Sequence, residues 1–343
     1  YETVLAGVSM RTPMMNIHTV AAGGGSILHY DGNRFRVGPD SAGAEPGPCC
    51  YRNDGPLTVT DCNLLLGYIN PSYFPATFGK TAAQSLDIKS VKTKFIKLGA
   101  RISSHKNIED IAEGFLKVAI ENMATAIKKI STEKGYDVRK YTLVSFGGAG
   151  GQHACKVADR LDIKKIFLHP FAGVLSAFGM GLADHRSIKE QTIEKILCPK
   201  QGPKLKKINT QLTQKVHSTL HSQGVKNIKT QSHLHIKYSG SDSTIEVPLA
   251  SIPIMKQQFK DLHKQQFGFT SPDKVLIVEK IHVESFGGGG SVRIDADLTN
   301  VKHRIIRSKI FRKGRWQSAE IVHRNQLNNS IKELTGPAII LED

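Results

Sequence analysis

The sequence has no apolar run long enough to cross a membrane. A transmembrane helix needs about 18 consecutive apolar residues, and no stretch approaches that length. The chain also begins at Tyr1, without an initiator methionine and without the basic and then apolar layout of a secretory signal. We therefore expect a cytoplasmic protein with no membrane partner, and we expect this chain to be a segment of a longer one.

Cysteine is scarce and shows no metal-binding pattern. The 343 residues include five cysteines, and none of them forms a Cys-x-x-Cys pair. Cys49 and Cys50 are adjacent in the sequence, which is a poor geometry for an ordinary disulfide. These features favour reduced thiols in a cytosolic protein over a disulfide framework or a metal site.

Histidine offers one weak metal-binding pattern. His233 and His235 are two residues apart, which places them on the same face of a predicted strand, where both could bind one ion. A third ligand is not evident in the sequence, and surface histidines are more common than metal-binding ones. We therefore predict no metal-ligating residues in this chain.

Positive charge is in excess, but it is scattered. The chain has 47 Lys and Arg residues against 30 Asp and Glu residues, which gives a net charge of +17. The densest basic cluster, 304–315, is interrupted by apolar residues, as expected for solvated strand faces rather than for a surface that follows a phosphate backbone. Nucleic-acid binding is therefore not the function that the composition predicts.

The pattern of apolar residues divides the chain into two parts. Apolar residues recur three and four positions apart from Ile108 to Ile130, which predicts a long amphipathic helix. A polar stretch, 189–223, also reads as helix-like, and the residues after it read mostly as short strands. The length allows two domains. We predict an α/β domain over 1–190 and a smaller, mostly β domain over 191–343.

A run of glycines interrupts the α/β pattern near its centre. Residues 141–146 read as a buried strand, residues 147–150 are three glycines and an alanine, and residues 152–161 read as a helix. A strand that turns on glycines into a helix exposes backbone N–H groups, and the helix dipole favours an anionic ligand. The spacing matches neither the dinucleotide motif nor a Walker loop. On the pattern alone, a ligand-binding loop and a tight structural turn are equally favoured.

Two further segments carry polar residues that suit a site. The segment 37–51 is rich in proline and glycine, and its side chains Asp40, Ser41 and Glu45 suit a rigid loop that lines a pocket. A flexible linker is the alternative. Downstream, Asp61 precedes a short apolar run and suits the N-cap of a helix, a structural role that competes with a catalytic one.

Five long stretches of specific sequence carry a family resemblance. They are Ala21-Ala-Gly-Gly-Gly-Ser26, 37–48 with Cys50-Tyr51, 56–63 with Leu66-Gly67, 146–150 with His153-Ala154, and 175–179 with Ala183-Asp184. Together they resemble the hydantoinase A/5-oxoprolinase family over most of residues 1–190, and the resemblance continues more loosely at 238–244 and 335–340. Gln152, directly after the glycines, is similar to the ATP-dependent 5-oxoprolinase branch rather than to the hydantoinase branch.

The resemblance implies an α/β fold of the actin-like ATPase and sugar-kinase (ribonuclease H-like) type, in which two lobes clamp ATP. The chain is similar to a C-terminal segment of the hydantoinase A-type region, followed by a smaller, mostly β domain. In such proteins two Asp-Gly-Gly-Thr-type loops hold the phosphates and Mg²⁺, and neither loop is present in this sequence. The expected cofactors are therefore ATP and Mg²⁺, with the phosphate and metal loops upstream of Tyr1.

The activity that the resemblance implies is the ATP-dependent hydrolysis of 5-oxo-L-proline to L-glutamate through a phosphorylated lactam. The residues implied to contact the nucleotide are Phe146, Gly147, Gly148, Ala149 and Gly150. Those implied to contact substrate are Gly25, Ser26, Asp40 and Ser41, and those implied to act in catalysis are Glu45, Asp61 and His153. The expected partners are a small cyclic amide, a hydantoinase B-type domain or subunit, and a second copy of the chain in a homodimer.

Three alternatives stay open at this point. The protein resembles a hydantoinase and an acetone or acetophenone carboxylase subunit in the same stretches. A non-catalytic fragment or pseudoenzyme, whose glycine turns are only structural, is the third alternative, and the missing phosphate loops favour it for this segment taken alone. His153 is as consistent with packing as with chemistry.

Overall fold

The computed structural model describes residues 17–102, 107–290, 306–329 and 333–342, together with two short strands at 3–5 and 8–10. The chain folds as two compact units: the first comprises Tyr1–Ile130, Val138–Gly173 and Ile294–Asp343, and the second comprises Ser131–Asp137 and Val174–Arg293. The division predicted from the sequence, near residue 190, stays a prediction. Among the described residues, no helix combines the length and the apolar character that crossing a bilayer requires.

The described elements alternate between strands and helices along the chain. The strands are β1 (Thr3–Leu5), β2 (Val8–Met10), β3 (Ser26–Tyr30), β4 (Phe35–Ser41), β5 (Thr142–Ser145), β6 (Lys165–Leu168), β7 (His185–Ile196), β8 (Lys229–Tyr238), β9 (Ile245–Pro248), β10 (Leu276–Gly287), β11 (Ile306–Arg312), β12 (Arg315–His323) and β13 (Ala338–Leu341). The helices are α1 (Val59–Leu65), α2 (Ile88–Ile102), α3 (Ile108–Ile130), α4 (Gly150–Leu161), α5 (Leu175–Leu182), α6 (Gly202–Ser222), α7 (Ile252–Phe267) and α8 (Arg324–Asn329).

The core of the first unit is built around α3. The helix spans the range predicted from its apolar spacing, so that prediction is confirmed. Its buried face, which includes Ile111 and Phe115, packs against α1 and α2. Phe115 also stacks on Phe35 of β4, with ring centroids 4.3 Å apart. This packing holds α1 and the β3–β4 pair, which carry most of the predicted substrate residues, on one rigid core.

The β3–β4 pair is a hairpin. Tyr30 and Phe35 are paired in register, and the Oδ1 atom of Asp31 accepts hydrogen bonds from the backbone N–H groups of Asn33 and Arg34 at 3.1 and 3.0 Å. An aspartate that accepts from the backbone two and three residues further on favours a turn. The hairpin places Ser26, at the start of β3, directly opposite Ser41, at the end of β4.

The central glycines lie between a strand and a helix, as predicted, but the strand is not buried as expected, because the side chains of β5 alternate between exposed and half-buried. β5 and β6 pair in parallel, with Val144 opposite Phe167, and α4 connects the two strands. Parallel neighbours need such a crossover, usually a helix. Val157 and Leu161 of α4 are buried against Ile120 and Ala124 of α3. The glycine turn is therefore held between two elements that pack on the same core.

The second unit is an antiparallel sheet in the order β7–β10–β8–β9. Apolar side chains on one face, such as Leu234, Ile236 and Val283, form a core with buried residues of α6 and α7. Because side chains alternate along a strand, His233 and His235 lie on the opposite face of β8 from this core.

One sequence prediction in this unit is wrong. The stretch 189–223 was expected to be helix-like, yet its first part belongs to β7 and only 202–222 is helical. β7 is an edge strand with mostly exposed, polar side chains, so it lacks the apolar alternation by which a strand is recognised. Its pairing with β10, a contact distant in sequence, determines its conformation.

The last three strands form a sheet that belongs to the first unit. β11 and β12 are antiparallel, β12 and β13 are parallel, and Phe311 is buried in the core around α3. The basic cluster 304–315 falls on β11 and the start of β12, with Arg307 and Lys309 exposed, which agrees with the expected solvated strand face. Its first two residues, 304 and 305, lie outside the described residues.

Candidate functional site

The glycine turn before β3 is tied to the first turn of α1. The N–H and the hydroxyl of Thr60 both donate to the carbonyl of Gly24, at 2.9 and 3.0 Å. Within the turn, the hydroxyl of Ser26 accepts from the N–H of Gly23 at 3.0 Å. Ser26 is buried, with 4% of its surface exposed. The predicted substrate residue Ser26 therefore holds the turn in shape against the N-terminus of α1.

Gly25 and Ser41 approach each other closely beside this turn. The N–H of Ala42 donates to the carbonyl of Gly25 at 2.8 Å. A Cβ atom on residue 25 would lie 2.9 Å from the Ser41 hydroxyl oxygen, so glycine allows an approach that a side chain would prevent. The structure thus brings three of the four predicted substrate residues together, namely Gly25, Ser26 and Ser41.

Asp40 and Glu45 have a more open environment. Asp40 is exposed, and its Oδ2 atom lies 3.5 Å from the Nε2 atom of His29 across the hairpin. Glu45 is exposed on the loop that follows β4. An accessible carboxylate can accept a hydrogen bond from a ligand or a water molecule. These two acids therefore keep the capacity for substrate contact or for orienting water that the sequence predicts.

Asp61 is fully buried, and its carboxylate accepts four hydrogen bonds. The N–H and hydroxyl of Thr58 donate to Oδ2 at 2.8 and 3.0 Å, and the N–H of Cys49 donates to the same atom at 3.1 Å. The N–H of Cys50 donates to Oδ1 at 2.9 Å. With Thr58 this carboxylate forms a capping box at the start of α1. Asp61 thereby fastens the loop at 49–50 to the helix.

The environment of Asp61 fits the structural alternative that the sequence left open. Burial raises the pKa of Asp61, while hydrogen bonds from Cys50 and Thr58 oppose that shift. A general base needs an acceptor within reach of the proton that it removes. Here the four donors occupy the carboxylate, and none of the residue is exposed. The prediction that Asp61 is the N-cap is wrong, because α1 begins earlier and Thr58 is its N-cap, while Asp61 is the third helical residue. The observed role of Asp61 is that of the acid in the capping box, and its catalytic role stays a prediction.

The glycine turn between β5 and α4 is open to solvent. Residues 146–149 are exposed, and Phe146 exposes 56% of its surface. Gly147 has φ +88°, a conformation that favours glycine, and its N–H donates to the carbonyl of Ala172 at 2.8 Å. A Cβ atom on Gly148 would meet no atom within 4 Å. The backbone of the predicted nucleotide loop is therefore accessible, and the N-terminus of the 12-residue helix α4 follows it.

His153 lies one turn into α4 and is buried. Only 5% of its surface is exposed, and neither ring nitrogen has a hydrogen-bond partner. Burial, with a smaller contribution from the charge of Lys156, lowers the pKa of His153 to about 4. The imidazole is therefore neutral near pH 7, and it is available as a donor or acceptor to a group that enters this region.

Two residues beside His153 were not among the predicted site residues. The Nδ2 atom of Asn63, on α1, donates to the Oε1 atom of Gln152, on α4, at 2.8 Å, so the two motif regions meet here. The Oδ1 atom of Asn63 is buried without a hydrogen-bond partner. The sequence offered a signal for both, because Asn63 lies in one family stretch and Gln152 directly follows another.

Lys156 is the third residue that sequence reasoning missed. Its Nζ atom is buried without a hydrogen-bond partner and lies 3.6 Å from the centre of the Tyr68 ring. Burial lowers the pKa of Lys156 to about 8. Buried polar atoms are normally paired, so the unpaired atoms of Asn63, His153 and Lys156 indicate a region that water or a ligand completes.

The first unit has features that suit the expected ATP, but its described residues do not form a site for the expected Mg²⁺. The open glycine turn and the helix that follows it suit a nucleotide. By contrast, among the described residues of the first unit there is no group of three or more His, Cys, Asp or Glu residues that could hold a metal ion. The residues that would hold Mg²⁺ are expected, from the family resemblance, in the loops upstream of this chain.

The cysteines near this region are not suited to nucleophilic catalysis. All five are free, and Cys49, Cys50 and Cys62 are buried. Burial raises the pKa of all three thiols, that of Cys49 to about 11. The thiolate is the reactive form, and a raised pKa makes it rare near pH 7. The absence of disulfides among these five cysteines agrees with the prediction of reduced thiols.

Known proteins resemble this chain in sequence over nearly its whole length. A family model described as Hydantoinase/oxoprolinase matches residues 1–189. The 5-oxoprolinase 1 of Arabidopsis thaliana is 35% identical over 359 residues, which cover 99% of this chain and 28% of that protein. The 5-oxoprolinase of Saccharomyces cerevisiae is 38% identical over 315 residues, which cover 88% of this chain and 24% of that protein.

A solved structure resembles the fold as well. The crystal structure of an ATP-dependent caprolactamase from Pseudomonas jessenii matches with a TM-score of 0.77 and 26% identity, over 92% of this chain and 48% of that one. The predicted fold class, α/β of the actin-like ATPase type with a further β sheet, is confirmed. The chain spans about a quarter of the length of the curated relatives described above, 24% and 28%. It belongs to the hydantoinase/oxoprolinase family.

Proposed function

We propose that the protein to which this chain belongs hydrolyses 5-oxo-L-proline to L-glutamate with consumption of ATP. The relation to proteins named 5-oxoprolinase supports this substrate, and the likeness to a caprolactamase supports the more general activity, the ATP-dependent opening of a cyclic amide. The structural observation that carries the proposal is the open glycine turn at the N-terminus of α4, next to buried polar atoms that have no partner.

The chemistry requires activation of a resonance-stabilised amide. Transfer of the γ-phosphoryl group of ATP to the lactam oxygen makes the ring carbon a good electrophile. Water then adds to that carbon, and the carbon–nitrogen bond breaks as the nitrogen takes up a proton, which leaves an acyl phosphate. A second water attacks the acyl phosphate and releases phosphate and glutamate. Such a sequence depends on positioning and on stabilisation of negative charge more than on an unusual nucleophile.

The described residues divide between the two ligands in this proposal. The turn formed by Phe146, Gly147, Gly148, Ala149 and Gly150 holds the adenosine end of the nucleotide. The cluster of Gly25, Ser26 and Ser41, with the accessible acid Asp40, contacts the substrate. Glu45 orients the attacking water, because it is the acid of the proposed catalytic set that solvent reaches. Asp61 supports the site by fixing the loop at 49–50.

The proposal includes components that lie outside this chain. Mg²⁺ bound by upstream loops would neutralise the phosphates, as phosphoryl transfer requires. A hydantoinase B-type domain or subunit completes the enzyme, the assembly is a homodimer, and the enzyme works in the cytoplasm. Each of these rests on the family relation rather than on a contact within the described residues.

Replacing Gly148 by valine tests the nucleotide site in the intact protein. No atom of the first unit obstructs a side chain at this position, so the fold should be kept while the side chain occupies space beside the turn. We expect the affinity for ATP, measured by isothermal titration calorimetry, to fall at least tenfold (about 1.4 kcal/mol). Release of ADP dependent on 5-oxoproline should fall with it.

A matched control is Gly202→Val, at the start of α6, where a Cβ atom also meets nothing within 4 Å. This variant should bind ATP like the wild type. Unchanged ATP affinity in Gly148→Val would contradict the assignment of the turn. Release of ADP that depends on bicarbonate and a ketone, and not on 5-oxoproline, would assign the protein to the carboxylase alternative.

A further inference from the structure

Three residues on neighbouring strands of the second unit bring metal-binding atoms together. They are Glu190 on β7, His282 on β10 and His235 on β8, and one ligand atom from each lies within 4.8 Å of the others. β10 lies between the other two strands, and Glu190 is directly opposite His282 in the β7–β10 ladder. The Nδ1 atom of His282 is 2.8 Å from the Oε1 atom of Glu190.

The histidines of this cluster are buried on a rigid sheet. His235 and His282 expose 4% and 2% of their surfaces, and their ring centres are 6.3 Å apart. The Nε2 atom of His235 is buried without a hydrogen-bond partner. A buried ring nitrogen is normally paired, so this atom indicates a missing ligand. A cross-strand hydrogen-bond network alone would explain Glu190 and His282 but not His235.

The ligand set is chemically specific. Two imidazoles and one carboxylate are a set that zinc uses where a fourth position stays open for water or another ligand, whereas Mg²⁺ and Ca²⁺ prefer oxygen ligands. Tetrahedral zinc with bonds of 2.0–2.2 Å places its ligands about 3.4 Å apart. The three ligand atoms lie within 4.8 Å of one another, so a bound ion would draw them closer by rotation of the side chains.

We propose that Glu190, His235 and His282 form a binding site for one divalent transition-metal ion of the zinc class. The site is independent of the proposed nucleotide site, because it lies wholly in the second unit and serves none of the predicted catalytic residues. The bound ion would cross-link β7, β8 and β10. From the sequence, His235 was considered together with His233, and no metal ligands were predicted. In the folded chain, the metal-binding atoms near His235 belong instead to Glu190 and His282, which lie on other strands.

Lys280 competes with the metal for Glu190. Its Nζ atom donates to both carboxylate oxygens, at 2.8 and 2.7 Å, in the metal-free protein. A divalent ion on Glu190 would have to displace this ammonium group or share the carboxylate with it, and the two positive charges repel each other. Removal of the Lys280 charge should therefore tighten metal binding.

The test is a Zn²⁺ titration of the intact protein after removal of metal by a chelator. We expect one Zn²⁺ per chain that is lost in His235→Gln and in Glu190→Gln, with an affinity at least tenfold weaker in each. Co²⁺ should give the absorption of a four-coordinate site in the wild type and not in these variants. Lys280→Met should bind Zn²⁺ more tightly than the wild type. Because the readout is metal content, it does not depend on ATP hydrolysis.

His233→Gln is the matched control. His233 lies on the same face of β8, two residues from His235, but its Nδ1 atom faces Glu246 at 3.4 Å and it is not part of the cluster. It should bind Zn²⁺ like the wild type. Equal Zn²⁺ stoichiometry and affinity in the wild type, His235→Gln and Glu190→Gln would overturn the proposal. If His235→Gln does not fold, Glu190→Gln still tests the proposal, because Glu190 lies on an edge strand and its side chain is 31% exposed.

Discussion

Asp61 and His153 are both buried polar residues of the first unit, but they differ in the number of their hydrogen-bond partners. Asp61 has four hydrogen-bond donors around its carboxylate, whereas His153 has no partner on either ring nitrogen. A buried polar group that is fully paired stabilises the structure around it. One that is unpaired costs free energy unless a ligand or water completes it. The comparison separates a residue whose hydrogen bonds hold the site in place from a residue whose buried polar atoms have no partner.

The largest expected effect is the loss of Asp61. Asp61→Ala leaves the buried N–H groups of Thr58 and Cys50 without the acceptor that they have in the wild type, so we expect the free energy of unfolding to fall by about 3–5 kcal/mol. Urea denaturation measures this change. Glu45→Ala, at an exposed acid, should change stability by no more than about 0.5 kcal/mol while it lowers turnover.

The turnover of Asp61→Asn tests the same contrast between Asp61 and His153. The amide keeps the shape of the carboxylate, so a folded variant with full 5-oxoproline turnover removes Asp61 from the catalytic set and leaves it as a cap. A folded variant without turnover would instead restore the catalytic role that the sequence predicted.

His153 should make stability depend on pH. Its pKa is about 4 in the folded protein and near 6.5 when unfolded, so the unfolded chain binds more protons between these values. Stability is therefore greatest above pH 6.5 and is lost as pH falls toward 4. Between pH 7 and 5 the loss from this residue is about 2 kcal/mol.

Urea denaturation of the wild type and His153→Gln at the two pH values measures that contribution. The variant should lose less stability than the wild type on acidification. His221→Gln, at an exposed histidine of the second unit, serves as the control and should show the wild-type dependence. An identical pH dependence in the wild type and His153→Gln would show that His153 is not buried in its neutral form.

The smallest expected effect concerns the contact between α1 and α4. A double-mutant cycle of Asn63→Ala and Gln152→Ala should give a coupling energy of about 1 kcal/mol, the usual worth of a neutral hydrogen bond. Urea denaturation of the four proteins supplies the cycle. Additive single and double variants would indicate that these side chains do not stabilise each other.

Much of the first unit was predictable because its signals are local. The spacing of apolar residues predicted α3, and the glycines predicted the passage from β5 to α4. β7 was missed, since an edge strand with polar side chains has no local pattern of its own. The family resemblance rested on long specific stretches and was confirmed by the relatives.

The roles of several site residues could not be predicted from their local sequence. Asp61 could be a cap or a base in the sequence, and its four donors, which come from two segments, show the cap. Asn63 lies in a family stretch, but nothing local showed that it meets α4, and Lys156 carried no signal that separated it from an ordinary helix residue. Their unpaired atoms become visible only when α1 and α4 pack together.

Contiguous residues were sufficient to predict the family, the α/β class and the position of the glycine turn. The tertiary structure was needed to show which polar groups are paired and which are not. It also replaced the His233 and His235 pair by a cluster of His235, His282 and Glu190. The physical reason is that hydrogen bonding and metal coordination depend on distances of a few ångströms between side chains that are far apart along the chain.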